Sequence, residues 1–224
     1  MGEQPTLAED LLLVLFQPDS GTIAGENTLF YVLAGAVLAE LALDERVTST
    51  TAGLGVTSIR AVDGRAPADP ILRSAWDHVS GKAHPVQTVL PAIGPPLRQP
   101  LLDRLISRGD IRREKRKALG LFDTTVLIDG GSGRRSELLR DVRAFLVDGA
   151  EPTPRVAALA GLLWGSGTLP QFDAVIPWSS AVIARAQQLE RDHWGAGAVA
   201  EAVTRTFNAI ISSSILIATT ALRR

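Results

Sequence analysis

A mainly α-helical fold is what this sequence predicts: one compact helical domain over residues 1–224, with short β elements and a projecting β-hairpin. Three observations carry that reading. Apolar residues recur at helical spacing through most of the chain, β-prone pieces cluster in only two places, and no repeat, low-complexity tract or linker divides the 224 residues. A chain of this length buries enough surface to fold without cross-links.

The elements follow in order. Thr6-Leu7-Ala8-Glu9 is a capping box, in which hydroxyl and carboxylate each satisfy a free backbone N–H, and it opens an apolar helix to Phe16 that Pro18 closes. From Asn27 to Leu43 the only charge is Glu40, and Ala34, Gly35 and Ala36 are small enough for close helix contact, so this helix is buried all round. Arg46 to Ser49 and Gly55 to Val62 read as a strand pair with Gly53 and Gly55 in its turn, followed by a helix near Ala68 to Val79. Pro and Gly make Gly81 to Pro96 irregular, with one helical turn around Val86 to Leu90. Leu97 to Arg108 is amphipathic and Gly109 suits its C-terminal cap. Asp110 to Arg113 and Leu119 to Val126 flank a charged centre as a hairpin. After the turn at Gly130 to Gly133, helices run at about Ser136 to Val147, Pro154 to Trp164, Asp173 to Arg191 and Gly197 to Leu222.

Composition narrows the function. With no cysteine there is no disulfide framework, thiolate zinc site or cysteine nucleophile. A formal charge of -1 creates no global field, which argues against general nucleic-acid binding and leaves any basic site local. Met1 to Thr6 fits the short M-G-x-x-x-T acylation pattern but reads as an ordinary disordered start. Leu11 to Phe16 follows two carboxylates and is too short for a signal peptide. Thr206 to Leu222 contains Asn208 and Ser212 to Ser214 and only marginally spans a ~30 Å hydrocarbon core, so a buried helix is expected.

Catalytic signals are absent from this reading. His78, His84 and His193 are scattered without a ligand partner one helical turn away, so no metal is expected. Gly161 to Gly167 lacks the following Lys-Ser/Thr of a phosphate loop, and no G-x-S-x-G elbow occurs. Glu9 with Asp10 is a carboxylate pair without a companion base. The expectation is a protein that is not an enzyme and needs no cofactor.

The informative segment is Asp110 to Thr125. Arg112, Arg113, Lys115, Arg116 and Lys117 fall within six positions, and Leu119, Leu121 and Phe122 follow at once. Such a run is often only a solvated face. Beside apolar residues it is also what contact with a membrane surface requires, because cations meet lipid phosphates while apolar side chains enter the headgroup boundary. A winged helix is the other reading, with Leu97 to Arg108 as recognition helix and the hairpin gripping phosphates.

The opening T-L-A-E-D-L-L-L-V-L-F, L-A-G-A-V-L-A-E-L-A-L ending at Leu43, L-L-D-R-L-I-S-R-G-D-I from Leu101, L-G-L-F-D-T-T at Leu119 to Thr125 and P-R-V-A-A-L-A-G-L-L-W from Pro154 together resemble the Golgi phosphoprotein 3 family, including its bacterial members. The resemblance implies a mainly helical, non-enzymatic domain with a projecting hairpin. In eukaryotic members that domain binds phosphatidylinositol 4-phosphate on the cytoplasmic face of Golgi membranes and the cytoplasmic tails of resident glycosyltransferases, and members associate through the hairpin. Carried over residue by residue, the lipid pocket falls at Gly25, Ala34, Pro95 and Arg98, so a single arginine is retained. A phosphate held by several guanidinium groups would lose most of its charge-assisted hydrogen bonds.

The expected protein is therefore a cytoplasmic adaptor, peripherally associated with the cytoplasmic face of a membrane. Arg98, Arg104 and Arg108 are its expected lipid contacts. Residues Arg112, Arg113, Lys115, Arg116, Lys117, Leu119, Leu121 and Phe122 form the expected membrane or oligomer contact. Its expected partners are anionic phospholipid headgroups, cytoplasmic tails of membrane proteins and a second copy of the chain through the hairpin, with a winged-helix nucleic-acid binder as the alternative.

Overall fold

The structure, a computed structural model, describes residues 4–51, 56–118, 122–189 and 208–211. They are mainly helical, with short antiparallel strand pairs. Helix α1 (Leu7–Leu15) is buried along its whole length and begins at Thr6 with both hydrogen bonds of the capping box in place. It ends at Phe16, where β1 (Phe16–Gln17) pairs with β2 (Thr22–Ile23), a two-residue hairpin too short to leave a sequence pattern.

A 3₁₀ turn at Glu26–Thr28 leads into α2 (Leu29–Leu43), which packs against α1 on one side and later helices on others. The segment Glu26–Leu43 is long and apolar enough by composition to cross a membrane. Its α-helical part has 15 residues, roughly 22 Å at 1.5 Å per residue, short of a ~30 Å hydrocarbon core. Eleven of those residues are buried in the domain, so apolarity here builds the core. A Cβ on Gly35 would lie 2.7 Å from Ile210 Cγ2 and 3.3 Å from Leu162, so the small residues of α2 do mark close helix contacts.

Strands β3 (Val47–Thr51) and β4 (Thr57–Ala61) pair from Val47↔Ala61 to Thr51↔Thr57, and β5 (His84–Pro85) adds to β4. Gly53 and Gly55, expected in the intervening turn, lie outside the described residues. Helix α3 (Pro70–His78) starts where the Asp69 carboxylate accepts the N–H groups of Ile71 and Leu72, at 2.8 and 3.0 Å. The Gly81 to Pro96 stretch is more regular than its composition suggests. It forms α4 (Val86–Ile93) through Pro91, whose missing N–H costs the helix one bond. Val86, Val89, Leu90 and Ile93, spaced at three and four, are all buried, and that packing outweighs the proline. Gly94 ends α4 against α2, where a Cβ would overlap the Phe30 carbonyl oxygen.

Helix α5 (Arg98–Ser107) lays Leu101, Leu102 and Leu105 against α1 and stops at Gly109, whose φ of +79° suits glycine. Next, β6 (Ile111–Ala118) and β7 (Phe122–Asp129) pair over eight positions, from Ile111↔Asp129 to Ala118↔Phe122. The charged centre expected between two strands is thus itself strand. An exposed two-stranded ladder lets long cationic side chains reach water on either face, so charge does not disfavour pairing there.

Three further α-helices follow, α6 (Arg134–Leu146), α7 (Pro154–Gly165) and α8 (Ser180–Gln188), with a 3₁₀ turn at Leu169–Phe172 before the last of them. Helix α8 begins later than Asp173 because the Asp173 carboxylate accepts the Trp178 N–H at 2.6 Å and holds a turn before Pro177. Of the helix expected at Gly197 to Leu222, only 208–211 is described; it is helical, with Ile210 and Ile211 buried. The rest, and the end of the helix expected to reach Arg191, lie outside the described residues.

Candidate functional site

The two arginines of α5 and Arg108 at its C-terminal cap have different surroundings. Arg98, at its start, donates from Nε to Glu26 Oε1 at 2.7 Å across 72 positions of sequence. Both side chains remain about half exposed, and with Leu29, Phe30 and Pro95 they line a concavity of about 320 Å³. Of the four positions indicated by the resemblance, Pro95 and Arg98 thus line one hollow and Gly25 adjoins Glu26 in the chain. Ala34 is fully buried in α2 and does not reach that surface. A side chain at Gly25 would be strained by its φ of +69° and would press on Thr168 Cγ2 at 2.9 Å.

Arg104 and Arg108 are occupied in the protein. Arg108 Nε donates to Glu9 Oε1 at 3.0 Å, while Arg104 Nη1 lies 2.5 Å from Asp69 Oδ2 and 3.6 Å from Glu9 Oε2. Glu9 has no exposed surface and also accepts the Thr6 N–H and hydroxyl. Beside it, Asp10 pairs with Arg134 and, at 2.6 Å, with Arg155. Arg134 reaches on to Asp110 at 2.5 Å, and Arg155 to Glu40 at 3.0 Å. The start of α1 is therefore the hub of an ion network that joins α2, α5, α6, α7 and the base of β6. Arg104 and Arg108 take a tethering role in it that the sequence reading did not foresee.

Two carboxylates of the network have proton affinities displaced from the ordinary ones. Burial pushes the Glu40 carboxyl above its ordinary value of 4.5, although Arg155 and the Leu7 N–H pull it down. Burial acts the same way on Asp69, but there the hydrogen bond from Arg104 and the N–H groups of Leu72 and Ile71 outweigh it and hold the carboxyl below 3.8. A raised folded-state value means Glu40 binds its proton more tightly when folded. Its stabilising contribution is complete below pH 4.5 and is lost as pH rises through the higher folded value. Glu40→Gln stays neutral, so the variant should gain on the parent over that rise. Urea midpoints measured across the acid range check this, and parallel curves for parent and variant would refute it.

The hairpin gathers the remaining candidate cations on one strand. Arg112, Arg113, Lys115 and Arg116 are exposed. Arg113 pairs with Asp103 of α5 at 2.9 Å and Arg116 with Glu114 at 2.9 Å. Arg112 and Lys115 have no ion-pair partner among the described residues. Arg113 and Lys115 stand opposite Leu127 and Thr125, whereas Arg112, Glu114 and Arg116 stand opposite Ile128, Val126 and Thr124. Lys117 is paired with Asp123 and Phe122 with Ala118 in backbone register. Leu119 and Leu121 lie outside the described residues. Arg98 is not part of this cluster, since the length of α5, roughly 15 Å, separates it from the base of the hairpin.

Sequence reasoning missed Glu26 because nothing local marks it as the partner of Arg98. It also treated Glu9 and Asp10 as unaccompanied. Among the described residues no three His, Asp or Glu side chains are grouped to hold a metal ion, though His78 and His84 come within 5.7 Å, ring centre to ring centre. Compared with known proteins, residues 7–206 match the family model described as Golgi phosphoprotein 3. No curated protein matches the chain.

Proposed function

Because the chain belongs to the Golgi phosphoprotein 3 family, we propose that it is a non-catalytic adaptor that binds the cytoplasmic face of a membrane peripherally, through anionic phospholipid headgroups. The observation that supports this most is the β6 strand, with Arg112, Arg113, Lys115 and Arg116 exposed along its length. On this reading the hairpin projects toward the bilayer, with Lys117 adding charge and Leu119, Leu121 and Phe122 entering the headgroup boundary. The same tip can join a second copy, and cytoplasmic tails of membrane proteins are the protein partners. Each Lys or Arg near an anionic surface contributes on the order of 1 kcal/mol, so the attachment is reversible and sensitive to salt.

Phosphatidylinositol 4-phosphate earns no special preference on this reading. Its phosphates would meet one arginine, already paired with Glu26, instead of a guanidinium cluster. Flotation with vesicles of matched charge, with and without that lipid, should give equal binding at low salt and less at high salt. A tenfold preference for it, about 1.4 kcal/mol, would mean that other residues have rebuilt the pocket. A DNA gel shift at the same two salt concentrations tests the winged-helix alternative. Retention of DNA with a steep loss on adding salt, while vesicles float free of protein, would overturn the membrane reading.

A further inference from the structure

The hollow at Glu26 and Arg98 carries one negative and one positive group side by side, which is unsuited to a polyanion and suited to a dipole. We infer that it binds a phosphoamine, a phosphate ester bearing an ammonium or quaternary ammonium group, such as the headgroup of a zwitterionic phospholipid. This deepens the membrane reading above and rests on it only where the ligand is a lipid.

The ion pair leaves part of each group unused. The observed bond employs Arg98 Nε and Glu26 Oε1, so the outer guanidinium nitrogens and the second carboxylate oxygen remain to be addressed from the hollow. A ligand laid antiparallel to the pair sets its phosphate on Arg98 and its ammonium on Glu26, and each charge then meets its opposite. A lone phosphate would gain from Arg98 and be repelled by the Glu26 carboxylate, which lies 2.7 Å from the Arg98 Nε.

The walls agree with this assignment. Phe30 lines the hollow beside Glu26, with its ring 4.2 Å from that of Tyr31, and an aromatic face attracts an alkylated ammonium. Leu29 and Pro95 supply apolar surface for a short linker. At about 320 Å³ the hollow stands at the lower end of the range for small-molecule sites. Glu26 is also placed by its backbone: Thr28 donates to the Gly25 carbonyl at 2.9 Å and closes the 3₁₀ turn that presents it. The pair itself is exposed, and exposed pairs contribute only ~0–1 kcal/mol, so adjusting it to a ligand is cheap.

The test uses the full chain and soluble probes before any vesicle. Phosphocholine should bind about tenfold more tightly than glycerol phosphate, a difference within reach of the charge contact between its quaternary ammonium and the Glu26 carboxylate beside Phe30. Glu26→Gln should abolish that preference, and Arg98→Gln should weaken both probes. Both side chains are about half exposed and outside the core, so circular dichroism should stay that of the parent. Equal affinity for the two probes, no ligand-observed magnetic resonance signal from either, or an unchanged preference in Glu26→Gln would overturn the inference. Vesicles separate its fate from that of the membrane reading, using phosphatidylglycerol mixed with either phosphatidylcholine or a neutral diacylglycerol. Probe selectivity without flotation upholds the phosphoamine site for a soluble ligand and sinks the membrane reading. Flotation that ignores the amine, together with blank probes, sinks the site and leaves the membrane reading standing.

Discussion

Arg134→Met should cost about 3–5 kcal/mol of folding stability, the range for breaking a buried ion pair from one side. The guanidinium joins Asp10 of α1 to Asp110 at the base of β6, and those two carboxylates are only 6% and 4% exposed. Methionine keeps the length of the apolar stem, so the loss would come from charge and not from a cavity. After the change Asp10 still has Arg155, but among the described residues the Asp110 carboxylate keeps only the Ser132 hydroxyl, at 2.6 Å. A buried carboxylate without its cationic partner lowers the stability of the fold. Adding Asp110→Asn to Arg134→Met should restore part of the loss, because the stranded charge goes with it. Urea unfolding reads both as shifts in midpoint at constant slope. A loss under about 1 kcal/mol would place the network with ordinary surface pairs.

That network also shows where sequence reading reaches its limit. Thr6 and Glu9 are three positions apart, and the capping box they form was legible because its two hydrogen bonds are local. Arg134 and Asp10 are 124 positions apart, and Arg155 and Asp10 145 apart, so no window on the sequence holds both partners. The same separation hid Glu26 from Arg98. Long apolar helices such as α1 and α2 were legible because burial on all faces needs an uninterrupted apolar run. Helix α4 was legible only as the single turn from Val86 to Leu90, because Pro91 and the neighbouring glycines are local signals, whereas the packing of Val89 and Ile93 that extends the helix past them is not. In the hairpin, register comes from pairing with β7, and charge alone could not say whether Lys115 belonged to a turn or to a strand.

The hairpin should decide the function, because its charge and its apolar tip make separable contributions. Changing Arg112, Arg113, Lys115, Arg116 and Lys117 together to Gln should abolish most vesicle binding and nearly all of its salt dependence. Arg113 and Arg116 are partly neutralised by Asp103 and Glu114, so Arg112 and Lys115 set a lower bound on the effect. At about 1 kcal/mol each, those two alone correspond to roughly thirtyfold in affinity. Changing Leu121 and Phe122 to Ser removes the apolar part, where each side chain that leaves water is worth about 1.5 to 3 kcal/mol. Helicity by circular dichroism should be unchanged in both variants, since the four exposed cations make no part of the buried core. If the tip instead joins two copies of the chain, light scattering will show a lower mass for the Ser variant and the parent's mass for the Gln variant. Were both variants to float with vesicles like the parent and keep its mass, the hairpin would have neither role, and the membrane reading would lose the strand on which it chiefly rests.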